Sequence, residues 1–68
     1  MKINTLSLSD LRKERNLTQK QLAIELGMST SAIALYESGK RFPPLKKAIH
    51  IAEFFDLPVE RISFSDKA

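Results

Sequence analysis

"TQKQLAIELGMSTSAIALYESG", residues 18–39, decides how the rest of the chain is read. It carries helical punctuation twice over. Thr18 and Gln21 have the spacing of a capping box, in which the cap side chain accepts from the N3 amide and the N3 side chain reaches back. Leu22, Ala23 and Leu26 then share one helical face, and Gly27 supplies a stop. Ser29 caps a second helix that carries Ile33 and Tyr36 inward and closes at Gly39. Only Gly27 and Met28 separate the first helix from the cap of the second.

So tight a joint predicts a steep crossing, that of a helix-turn-helix over about residues 18–37. Ala23 is small where the helices must approach, and Gly27 relieves the turn of a Cβ. Leu22, Leu26, Met28, Ile33 and Tyr36 supply the apolar contacts beneath the crossing. The second helix is unusual in its outer positions, Ser31, Ala34, Leu35 and Ser38, none of them charged. Its single charge, Glu37, falls on the side of Ile33, the reverse of an ordinary surface helix.

Working outward, "LSDLRKER" reads as a helix from about Ser9 to Arg15, with Ser7 or Ser9 as cap and Asp10 in the first turn. "RFPP" breaks the chain after Gly39, and Pro43 or Pro44 suits the first turn of a fourth helix. That helix, "LKKAIHIAEFFD", is expected to bury Leu45, Ala48, Ile49, Ala52 and Phe55. Pro58 starts a short fifth helix with Val59 and Ile62 inward. "KINTL" and "RISFS" alternate at period two and are candidates for short terminal strands forming a small sheet, within or between subunits. The expected fold is a single all-α, five-helix domain over residues 1–68.

Sixty-eight residues allow one small core, and 43% hydrophobic with 28% charged residues is a globular composition. Such a core is marginal alone, so a partner subunit is expected. The absence of Cys excludes a disulfide scaffold and thiolate metal sites, and suits a reducing compartment. No apolar run reaches the roughly 20 residues of a membrane span, and the N-terminus lacks a signal peptide's apolar core, which predicts a cytoplasmic protein. The net charge is +3, unevenly spread. Lys40, Arg41, Lys46 and Lys47 lie close together, whereas Glu53, Asp56, Glu60 and Asp66 gather at the end. That polarity fits a polyanion approached from one side, and equally an ordinary solvated surface. Lone His50 is read as a surface or core-edge residue, and Tyr36 and Phe55 as core.

"TQKQLAIELGMSTSAIALYESGKRFP" resembles the helix-turn-helix of the lambda-repressor-like family, the Cro/Xre type of prokaryotic and phage regulators. Thr18, Gln19, Leu22, Ala23, Gly27, Ser29, Ile33, Glu37, Gly39 and Pro43 carry the match. "LRKERNLT" is similar to the family's first helix and lead-in, and "LKKAIHIAEFFDLPVERI" to its fourth and fifth helices, so the resemblance spans about residues 8–62. Ala48 is smaller than the family's usual Leu, and Phe54 more apolar than its usual surface residue; both departures bear on the dimer surface.

The resemblance implies a double-stranded DNA operator as partner, with Gln19, Thr30, Ser31 and Leu35 facing bases. A helix in the major groove needs a compact, acid-free outer face. Ser31 bonds almost any base, Leu35 meets a thymine methyl, and Gln19 bonds either the phosphate backbone or an adenine edge. Thr18, Lys20, Ser29, Ser38, Lys40 and Arg41 are the candidates for phosphate contact; Lys46 and Lys47 fit a solvated face as well. Arg12 matches the family position that pairs with an inward Glu37. Family members usually dimerise on pseudo-palindromes, and Phe54, Ile62 and Phe64, apolar groups beyond the needs of the core, are the candidate dimer-interface residues.

The expected function is thus a homodimeric, sequence-specific transcriptional regulator, a repressor in the first instance. No cofactor, metal, membrane or small-molecule ligand is expected. The alternative is an antitoxin-like protein-interaction module on the same fold, favoured by free apolar surface. An enzyme is poorly supported: there is no Cys, metal-spaced His, Gly-rich phosphate loop or carboxylate pair.

Overall fold

Ser7 sets the first helix in place. Its hydroxyl accepts from the Asp10 amide at 3.0 Å, and the helix α1 runs over Leu8–Glu14, one residue ahead of the expected span. The computed structural model describes residues 5–64. Just before α1, the strand β1 (Leu6–Ser7) pairs in parallel with β2 (Ile62–Ser63), Leu6 opposite Ile62 and Ser7 opposite Ser63. The small sheet therefore forms within one chain and joins residues 6–7 to residues 62–63. Most of "KINTL" lies outside the described residues, as does Ser65.

The capping box is fully made. Thr18 Oγ1 accepts from the Gln21 amide at 3.0 Å, and Gln21 Oε1 accepts from the Thr18 amide at 2.8 Å, opening α2 (Gln19–Leu26). Gly27 ends it in the left-handed region at φ +69°, where an L side chain is strained. Ser29 Oγ then accepts from the Ala32 amide at 3.0 Å and starts α3 (Thr30–Ser38).

α4 (Leu45–Phe54) corrects the expected inner face. Ala48, Ile51 and Ala52 are buried, with Phe55 just beyond, whereas Leu45 is 70% and Ile49 41% exposed. Small Ala48 and Ala52 permit a close approach, and fully buried Ile51 fills the space that the approach leaves. The fifth helix is also corrected. Val59–Arg61 is a single 3-10 turn, so the described residues hold four α-helices. Proline at position 58 starts that turn, and extended backbone at Ile62 ends it by entering β2.

Leu8, Leu22, Ile33 and Ile51 are the fully buried centre, drawn from all four helices. Ile62 and Phe64, at 6% and 7% exposure, belong to that same core. The premise that they are apolar groups beyond the core's needs is therefore withdrawn. Pairing with β1 seats the chain end against the helices, where both side chains are covered. Phe54 is half-buried, edge-on to Phe55 at 5.0 Å. The Arg15 guanidinium lies 5.1 Å from its ring and donates to its carbonyl oxygen at 3.2 Å.

Candidate nucleic-acid interface

Glu37 lies near the end of α3 at 7% exposure, an unfavourable place for a carboxylate without partners. Three donors meet it. Arg12 Nε donates to Oε2 at 2.6 Å, Arg12 Nη2 to Oε1 at 3.2 Å, and Gln19 Nε2 to Oε1 at 3.1 Å. The guanidinium's remaining arm, Nη1, donates to the Leu17 carbonyl at 2.8 Å. The first helix, the lead-in to α2, the start of α2 and the end of α3 are thereby tied at one point. The pair that the resemblance suggested is thus in contact, and Gln19 joins it.

With Glu37 turned inward, the outer face of α3 carries no charge. Thr30 and Ser31 are exposed in its first turn, and Ala34, Leu35 and Ser38 are half-buried along it. Ser38 Oγ donates to the Leu35 carbonyl at 3.1 Å, so that hydroxyl's proton is already engaged. The Ser29 and Thr18 side chains are likewise occupied as caps. Since the caps take the Gln21 and Ala32 amides, what remains at the two helix starts is the first two amides of each, those of Gln19 and Lys20 and of Thr30 and Ser31, which have no carbonyl partner within an α-helix. Gly39 ends α3 at φ +79°, and the amides of Lys40 and Arg41 fold back to the Leu35 carbonyl at 3.1 and 3.3 Å. Both cations are exposed beside the end of α3, and Lys20 is exposed in the first turn of α2.

An open groove of about 440 Å³ lies among Ser7, Ser9, Asp10, Lys13, Gln19, Ala34, Glu37 and Ser38. It lies between α1 and α3, with Asp10 and Lys13 on one wall and Glu37 beside Ala34 and Ser38 on the other. Sequence reading did not anticipate the Gln19–Glu37 bond, because the two residues are eighteen apart and only the fold brings them together. It also missed exposed Phe42, whose ring stands edge-on to Phe64 at 6.5 Å. His50 Nε2 is 3.1 Å from the Leu26 carbonyl oxygen, a bridge between α4 and α2. Among the described residues no three His, Cys, Asp or Glu side chains come together to hold a metal, and no helix is long and apolar enough to cross a membrane.

A family model described as Helix-turn-helix matches residues 8–62. The chain belongs to that family, in its Cro/Xre type. Helix-turn-helix relatives include the HTH-type transcriptional activator BcrR of Enterococcus faecalis, 40% identical over 81% of this chain and 27% of its own length. The uncharacterised HTH-type transcriptional regulator MJ0272 of Methanocaldococcus jannaschii is 47% identical over 75% of this chain and 77% of its own. The cryptic phage CTXphi transcriptional repressor RstR of Vibrio cholerae is 33% identical over 81% and 49%. This chain thus spans about a quarter of BcrR and half of RstR. No solved structure gives a significant match.

Proposed function

We propose that the protein is a sequence-specific double-stranded DNA-binding transcriptional regulator, a repressor acting as a homodimer on a pseudo-palindromic operator. The observation that carries this reading is the bare outer face of α3, with its one carboxylate withdrawn and two cations at its end. Major-groove base edges are met by hydroxyls and methyls, here Thr30, Ser31 and Leu35, with Ala34 leaving room for approach. Gln19 enters the same groove from the start of α2. Phosphates are gripped by first-turn amides of α2 and α3, by Lys40 and Arg41, and by Lys20.

The second copy is assigned to α4 in place of Ile62 and Phe64. Phe42 and Leu45 are 72% and 70% exposed, and Ile49 follows Leu45 by one turn, making an apolar ridge. Lys46 and Glu53 neighbour Ile49 three residues before and four after, so the ridge has a basic and an acidic end. Antiparallel apposition about a two-fold axis sets each Lys46 against Glu53 of the other copy. An antitoxin-like module would use this same ridge for a different protein.

Selection from random duplex DNA at a stated salt concentration tests the regulator reading. A palindromic consensus is expected. Ser31→Asp with Leu35→Asp, in a chain whose melting is unaltered, should abolish binding to it; full retention would overturn the assignment of α3.

A further inference from the structure

A glutamine amide can be placed either way round, because its two ends are alike in shape but opposite in hydrogen-bonding sense. Gln19 has no such freedom. Its partner is a carboxylate, which only accepts, so the NH₂ group must face Glu37 and the carbonyl must face away. The reverse arrangement would set two acceptors against each other. Glu37 is itself immobilised, since Arg12 holds both of its oxygens and is anchored in turn on the Leu17 carbonyl. The orientation of Gln19 is therefore fixed before any partner arrives. Gln19 also lines the open groove, beside Ala34, Glu37 and Ser38 of α3 and across from Asp10 and Lys13 of α1.

We propose that Glu37 is a positioning residue that makes Gln19 a reader of adenine rather than a grip on phosphate. This rests on the DNA-binding reading above and extends it. One amide N–H is spent on Glu37, and the outward remainder is a carbonyl oxygen beside a second N–H. A phosphate offers only acceptors, and an outward carbonyl faces it unfavourably. In the major groove, adenine offers a donor at N6 and an acceptor at N7, which match that remainder. Guanine offers two acceptors there, and thymine an acceptor and a methyl group. The ion pair thus does more than join α1 to α3: it sets the polarity of a side chain at the duplex.

Three measurements test this. In the free protein, one Gln19 side-chain amide proton should exchange with water more slowly than its geminal neighbour, and Glu37→Gln should remove the difference. With the selected operator, Gln19→Ala should reduce the preference for adenine at one position of each half-site by roughly five- to 150-fold, the worth of one bidentate contact. Glu37→Gln should reduce it at that same position and at no other, which a purely structural role would not do. Uniform weakening on all sequences by Gln19→Ala would mean a phosphate grip and overturn the proposal. So would equal exchange of the two wild-type amide protons, a readout that stands even where Glu37→Gln does not fold. Failure to enrich any duplex sequence sinks the DNA-binding reading, whereas a consensus whose adenines are indifferent to Gln19 sinks this inference alone.

Discussion

At the scale of single residues, the most consequential placement is a charge in an apolar setting. Glu37 is 7% and Arg12 13% exposed, so removing either leaves the other largely desolvated and unpaired. Arg12→Ala or Glu37→Ala should each cost about 2–5 kcal/mol. A domain of this length has on the order of 3–10 kcal/mol in total. Urea denaturation of both variants should therefore show midpoints well below the wild-type value, and wild-type midpoints would refute the pairing's importance. Gly27 makes a separate point, because nothing lies within 4 Å of where a Cβ would stand. Its substitution acts through the backbone alone: Gly27→Ala should lose about 1–2 kcal/mol, the cost of the left-handed conformation. Gly27→Asn should lose less, since asparagine tolerates that region. Thermal melts that rank the two equally would point to packing instead. Asn16 and Asp56, at φ +58° and +60°, show that this fold already uses such residues in its turns.

At the scale of elements, the helix ends were legible and the rotation of one helix was not. Caps act within four residues, so Thr18, Gln21, Gly27, Ser29 and Gly39 state their roles locally. The outer face of α3 was equally readable, because an inward Glu37 is a rare exception to amphipathic patterning. In α4, by contrast, Leu45 and Ile49 extend the apolar stripe on one side and Ile51 on the other, and periodicity cannot choose between them. The choice is tertiary: the core takes Ile51 because two alanines let the helix settle on that side. Ile51→Ala should cost about 2–5 kcal/mol, the range for a truncated core isoleucine. In protein dilute enough to be monomeric, Leu45→Ala should cost under about 0.5 kcal/mol, as at an ordinary surface position. A reversed order in chemical denaturation would restore the face expected from sequence. The chain end was hidden for a similar reason. Ile62 and Phe64 look spare until β2 pairs with a strand more than fifty residues earlier. Gln19 belongs with them: its residue type was noticed, but its partner depends on how α2 and α3 meet.

At the scale of the whole molecule, the proposed DNA-binding dimer would gather its affinity from phosphates and from symmetry, since hydroxyls and one leucine contribute little alone. A duplex bound by one copy presents few contacts, whereas two copies on a palindrome double the phosphates neutralised. The logarithm of affinity falls with the logarithm of salt by about 0.9 per phosphate neutralised. Lys40→Gln or Arg41→Gln should therefore lower the slope by about one unit for each copy bound, and by about two in a dimer–operator complex, without changing the consensus. Leu45→Glu with Ile49→Glu addresses the dimer directly. These positions are exposed in the protomer, so the variant should melt as the dilute wild-type monomer does, while sedimentation should report a monomer that binds half-sites with a halved salt slope. A variant that still sediments as a dimer would move the interface off α4 and leave the homodimer standing. A wild-type chain that stays monomeric on a full palindrome would remove the homodimer itself. Retained dimerisation with normal melting would also free the Phe42–Leu45–Ile49 ridge for another protein, which is the one physical ground on which the antitoxin-like alternative competes.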